Sequence, residues 1–178
     1  MGLHKVNDQT LVAVRENYEK IKSTHPNMRA RDIAKELHIS EAELLASRIG
    51  KEIIKLEGDW AELIRSMPNL GSVMALTRND SCVHEKHGEY DNISIGPGHG
   101  LVLNHDIDLR LFMSHWHFGF AVSEIVASGK RYSFQFFDIN GEAVHKVYMP
   151  KGNNLRAYKA IVNKFRSANQ IEEISIHK

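Results

Sequence analysis

The sequence predicts an α+β protein: an N-terminal helical lobe over residues 1–70, a large antiparallel sheet over 71–150, and a covering C-terminal helix and tail over 151–178, in one domain of 178 residues. Three observations carry that prediction. Apolar residues recur at helical spacing up to Ser66; short β-branched and aromatic runs follow from Ser72 to Met149; helical spacing returns after Asn153.

The first helix is expected over Val6 to Ser23, with Leu11, Val14, Tyr18 and Ile21 on one face. It ends before Pro26, which disfavours helical geometry at His25. Ile33, Ala34 and Leu37 stripe a second helix. Ser40 caps a third, with Glu43 at capping-box spacing, and Gly50 closes it. A further short helix, Ala61 to Ser66, stops at Pro68. The runs SVMALTRN, SCVHEKHGEY, DNISIG, GLVLN, DIDLRLFMSHW, FGFAVSEIV, RYSFQFFDI and EAVHKVYM then read as strands. Turn signals fall at Asn79-Asp80, Gly96-Pro97-Gly98, Ser128-Gly129 and Asn140-Gly141, the last being the strongest hairpin signal, so the strands should form a long antiparallel meander. Leu155, Tyr158, Ile161, Val162 and Phe165 share one face of the closing helix, which should cover the sheet.

Composition narrows the function classes. Apolar residues at 42% and charged residues at 25% describe a folded soluble chain. A net charge of +1 supplies no global field toward nucleic acid or acidic lipid. The single Cys82 excludes an internal disulfide, no charged segment followed by an apolar one opens the chain, and no apolar run reaches the roughly 20 residues of a membrane helix. The expectation is a cytoplasmic protein without membrane insertion. Histidine is the outlier: six of the 11 fall between His84 and His117.

The residues support three readings. The second and third helices have helix-turn-helix spacing, which suggests a DNA-binding regulator, with Arg29, Arg31 and Lys35 as backbone contacts. Glu41 and Glu43 oppose it by placing carboxylates where phosphates would lie. A His-ligated metal site is the second reading, from the close pairs His84/His87 and His115/His117, the latter on one face if they share a strand. The third is a site for a large, flat, anionic ligand. On a strand Asp108, Arg110, Phe112 and Ser114 share one face and Leu109, Leu111, Met113 and His115 the other, so Arg110 beside Phe112 can hold a charge over a stacked plane. An ordinary surface arginine paired with Asp108 explains the same pattern.

The blocks RARDIAKELHISEAELLASRIG, LGSVMALTRNDSCVHEKHGEY, IDLRLFMSHWHFGFAV and FQFFDINGEAVHKVY, in that order, resemble the haemin-degrading and cytoplasmic haem-carrier proteins of bacterial haem uptake, the HemS/ChuS type. Those proteins are built from two homologous halves, and this chain resembles one half, the N-terminal one. The resemblance implies b-type haem as cofactor, with Arg110 and Phe112 over its distal face and Leu101 and Leu103 as apolar wall. It implies Arg110 as the catalytic candidate, holding water or oxygen on iron. The family's axial histidine lies in the half that this chain lacks, so a local histidine, a homodimer, or weak binding by the isolated half are all open. His84 and His25 are the axial candidates, His25 because the second half's ligand falls near it on superposition. The implied role is haem-iron acquisition: carriage, with oxidative degradation by an external reductant as a further activity, and a haem-uptake transporter or haem-accepting protein as partner. His115 and His117 fall outside the implied pocket.

Overall fold

A computed structural model describes residues 3–5, 8–50, 52–171 and 174–177, with side chains from Leu11 onward. Its elements are β1 (Leu3–Lys5), α1 (Asp8–Thr24), α2 (Ala30–Glu36), α3 (Glu41–Ala46), β2 (Ile53–Leu56), α4 (Trp60–Ser66), β3 (Val73–Arg78), β4 (Val83–Gly88), β5 (Ile93–Ile95), β6 (Gly100–Leu103), β7 (Asp108–Leu111), β8 (Phe118–Val126), β9 (Gly129–Phe137), β10 (Ala143–Met149), α5 (Leu155–Phe165) and β11 (Ser175–His177). The α+β class is as expected. Val6, the expected start of the first helix, lies outside the described residues.

The strands depart from one long meander. A six-stranded sheet runs in the order β2-β8-β9-β10-β3-β4, a separate three-stranded sheet in the order β5-β6-β7, and β1 pairs with β11. The chain leaves the large sheet after β4, builds the small sheet, and re-enters at β8 on the far side of β9 and β10. Strand β2, which the sequence did not suggest, pairs antiparallel with β8 from Ile53↔Val122 to Leu56↔Gly119. Within the large sheet the β8–β9–β10 segment is the meander that the turn signals predicted. Its second turn is closed by Asp138, whose carboxylate accepts from the Asn140 and Glu142 amides, with Gly141 at φ 78°.

Alternation along the strands sorts residues to the two faces of the large sheet. On the core side Ala75, Ala121, Phe134, Phe136 and Val147 are buried against α4, α5 and the small sheet. Each fully buried phenyl contributes about 2–3 kcal/mol of transfer free energy. Tyr158 on α5 stacks on Phe134 with centroids 4.7 Å apart and donates to the Ser133 carbonyl at 3.1 Å. On the helical side Phe120, Val122 and Phe137 pack against Ala42, Leu45 and Ala46 of α3. Helices α1, α2 and α3 share a smaller cluster of Val14, Tyr18, Ile33, Ala34 and Leu44.

The capping box forms as expected: the Glu43 amide donates to Ser40 Oγ at 3.2 Å and the Ser40 amide to Glu43 Oε2 at 2.7 Å. The DNA-binding reading does not survive this packing. All six residues of α3 are buried, and the Ala42 amide donates to the Gly141 carbonyl at the tip of the β9–β10 hairpin. A helix with no free face cannot lie in a major groove. A Cβ at Gly141 would overlap the Ser40 side chain in a left-handed backbone. Gly141→Ala is therefore expected to lower unfolding free energy by about 1–3 kcal/mol, read by chemical denaturation.

Candidate functional site

The small sheet brings the haem-implied residues together. Register pairs Leu101 with Arg110 and Leu103 with Asp108, so these four side chains share one face, while Val102 and Leu109 share the other. The inner face is closed: Val102, Ile107 and Leu111 are buried in the main core. The outer face is open. Leu101 and Leu103 are half-buried, Arg110 is exposed, and Phe112 is 55% exposed. Arg110 Nη1 donates to Asp108 Oδ1 at 2.5 Å, in a pair too exposed to add much stability. That pair orients the guanidinium along the leucines.

The strand itself is shorter than the alternation suggested. β7 ends at Leu111, Phe112 has left strand geometry at φ −100° and ψ 75°, and Met113–His115 form a 3-10 turn. The chain turns here because its ladder partner β6 begins at Gly100, so no strand remains to pair with residues beyond Leu111. Ser114 therefore drops out of the shared face, and His115 and His117 do not share a strand. Their expected convergence on one ion is corrected accordingly. His84 and His87, three apart on β4, project to opposite faces. Among the described residues no group of three His, Cys, Asp or Glu side chains could hold a metal ion.

The two axial candidates lie elsewhere. His84 is exposed on the edge strand β4, opposite Thr77 in the large sheet. Two residues along the same strand, Lys86 pairs with Asp106 of the β6–β7 turn at 3.5 Å. His25 follows α1 on the helical side, where Pro26, Met28 and Arg29 line a cleft of about 1100 Å³ with Tyr18, Gln135 and Tyr148. The large sheet stands between it and Arg110. His25 Nδ1 lies 2.9 Å from Thr24 Oγ1, a hydroxyl that also meets the Ile21 carbonyl at 3.1 Å. With its one hydrogen on that carbonyl, Oγ1 accepts from Nδ1–H, which leaves Nε2 as the free lone pair.

One residue of the face escaped the sequence reading. His99 and Phe112 flank the last ladder pair, Gly100↔Leu111, and their ring centroids stand 6.2 Å apart at 41°. The signal was available: His99, Leu101 and Leu103 have the parity of one strand face. The outer face thus carries two leucines and a guanidinium paired with the Asp108 carboxylate, with an imidazole and a phenyl at its end. That set fits the apolar body, acidic edge and nitrogen requirement of a haem.

The haemin-degrading HemS/ChuX domain family matches residues 38–165. The hemin transport protein HmuS of Yersinia pestis is 39% identical over 165 residues, covering 90% of this chain and 48% of HmuS. Holo-PhuS, a heme-binding protein from Pseudomonas aeruginosa, superposes with a TM-score of 0.89 at 39% identity, over 94% of this chain and 49% of PhuS. The heme-degrading enzyme ChuS of Escherichia coli O157:H7 gives 0.85 at 32% identity, over 90% and 48%. The chain therefore spans about half the length of these relatives. The heme-binding protein ChuX, at 14% identity and a TM-score of 0.68, shares the fold, and the match covers 95% of it.

Proposed function

This chain belongs to the haemin-degrading HemS/ChuX domain family, and from that premise we propose that it binds b-type haem on the outer face of its small sheet, as a cytoplasmic carrier in haem-iron acquisition. The observation that carries the proposal is the open face shared by Leu101, Leu103 and Arg110, with the exposed Phe112 ring just past its end. Haem, when bound, supplies the redox chemistry of its iron. Phe112 and the leucines would offer the macrocycle an apolar floor, and Arg110 would present N–H donors to an anionic group of the ligand.

An open face covers one side of a planar ligand and leaves the other to water. A second copy of the chain is the proposed cover. It also supplies a route by which His25, on the far side of the large sheet, would reach this site. Haem-dependent doubling of mass in sedimentation supports this assembly, and a haem-loaded monomer rejects it.

Optical titration tests the function. A Soret band that saturates at a fixed stoichiometry is expected, and its absence would refute haem binding. Arg110→Ala is expected to weaken binding roughly tenfold or more with the fold intact, as loss of a charge-assisted hydrogen bond would. An unchanged affinity and spectrum would remove Arg110 from the site. Addition of a reductant under air, with catalase present, then separates the activities. A persistent Soret band supports carriage, and its loss assigns the chain to degradation.

A further inference from the structure

We propose that His99 is the imidazole that ligates haem iron on the outer face of the small sheet, an assignment that rests on the haem-binding reading above. Three features single it out among the histidines. First, it borders the face: it precedes Gly100, whose pairing with Leu111 ends the ladder, and its ring centroid stands 6.2 Å from that of Phe112. Its neighbours in the array are the residues that offer haem an apolar floor and a cation. Second, its backbone is fixed. The Gly96 amide donates to the His99 carbonyl at 3.1 Å, which closes the β5–β6 hairpin and holds the residue at the start of β6 with its side chain exposed.

Third, its nitrogens are available. Among the described residues neither ring nitrogen of His99 has a hydrogen-bond or ion-pair partner, and its only ring contact is with Phe112. The other histidines are placed or engaged differently. His105 sits against Asp106 at 3.3 Å, His145 is buried between two hydroxyls, His117 packs edge-on to Phe118, His84 and His87 lie on the large sheet, His38 follows α2 and His177 lies on β11; His115, exposed in the 3-10 turn after Phe112, is the nearest rival and lacks the ring contact that His99 makes. His25 lies beyond that sheet. Imidazole is the common nitrogen donor to haem iron, and an exposed, unengaged imidazole beside a stacking phenyl meets both needs of the ligand from one turn.

The test is an optical and electron paramagnetic resonance titration of the full chain with haem, comparing wild type with His99→Ala, His99→Phe, His115→Ala, His25→Ala and His84→Ala, and loss of the signature in His115→Ala with His99→Ala unchanged would overturn the assignment. Circular dichroism confirms that each variant is folded. Wild type is expected to show nitrogen-ligated iron, and His99→Ala to lose that signature with roughly tenfold or more weaker binding. Free imidazole should restore the signature. His99→Phe keeps a ring against Phe112 without a nitrogen, so it should behave as His99→Ala; a wild-type spectrum in it would leave His99 a packing role only and overturn the assignment. Loss of the signature in His25→Ala or His84→Ala with His99→Ala unchanged would also overturn it, while haem binding itself stood. Absence of any Soret band in wild type would instead remove the haem-binding reading and this assignment with it.

Discussion

Lys146→Ala is expected to cost about 3–5 kcal/mol of folding stability, read as a shift in urea midpoint. Lys146 on β10 and Glu41 at the start of α3 form an ion pair with side chains only 8% and 6% exposed. The pair joins the helical layer to the large sheet, and Lys146 Nζ stands 5.7 Å above the Phe137 ring. Truncating the lysine would leave the Glu41 carboxylate dehydrated without its counter-charge. The desolvation penalty of an unpaired buried ion exceeds what a lost methylene stem would cost. The double variant Glu41→Leu with Lys146→Met separates the two causes. It replaces both charges with apolar volume and is expected to recover most of the loss. A double variant as unstable as the single would place the effect in packing instead.

Acidification from pH 6.5 to about 4 is expected to remove about 3 kcal/mol of stability through His145. Burial disfavours its charged form and pushes it down from 6.5 to about 4. The unfolded chain therefore takes up this proton first as pH falls. The stabilisation is fully present above 6.5 and declines until pH reaches the folded value. The neutral ring is held between Thr77 Oγ1, 3.0 Å from Nδ1, and Tyr90 OH, 2.5 Å from Nε2, with the Trp116 ring 6.0 Å away. Burial also pushes the Tyr90 hydroxyl above its ordinary range, so it stays protonated and able to donate. His145→Gln should flatten the slope of stability against pH in that window, and an unchanged slope would reject His145 as its source. Two carboxyls act lower on the scale. Asp80, held down by Lys35 and then Arg31, and Asp106, held down by His105 and then Lys86, lose their stabilisation only as pH falls through the carboxylate range.

The parts of the fold legible in the sequence are those decided by near neighbours. The Ser40–Glu43 capping box, the Asn140-Gly141 turn and the apolar stripe of α5 each depend on residues a few positions apart, and each formed. Strand β2 was missed because IIKL is four residues long and broken by a lysine, and its stability comes from β8, more than 60 positions away. The split into two sheets was hidden for the same reason. Nothing local tells DNISIG and GLVLN to pair apart from the strands on either side.

The site divides in the same way. Parity along DIDLRLFMSHW grouped Arg110 with Phe112, the family resemblance supplied Leu101 and Leu103, and the parity of those leucines extends to His99. The end of β7 at Leu111 was not legible, since it depends on where β6 begins. The separation of His25 from Arg110 was also hidden. It follows from α1 and the small sheet packing on opposite faces of the large sheet, a choice that no periodicity records.

The small sheet's closed inner face has a consequence for affinity. Val102, Ile107 and Leu111 hold its strands from behind, and Asn104 Oδ1 fixes the β6–β7 turn by accepting from the Asp106 and Ile107 amides at 2.8 Å each. The outer face is therefore a preorganised platform, whose backbone has already lost its conformational freedom before any ligand arrives. Association then costs mainly side-chain ordering of Arg110, Phe112 and His99. Amide exchange across β6 and β7 should accordingly stay slow in the free chain and change little on loading, while these three side chains lose motion.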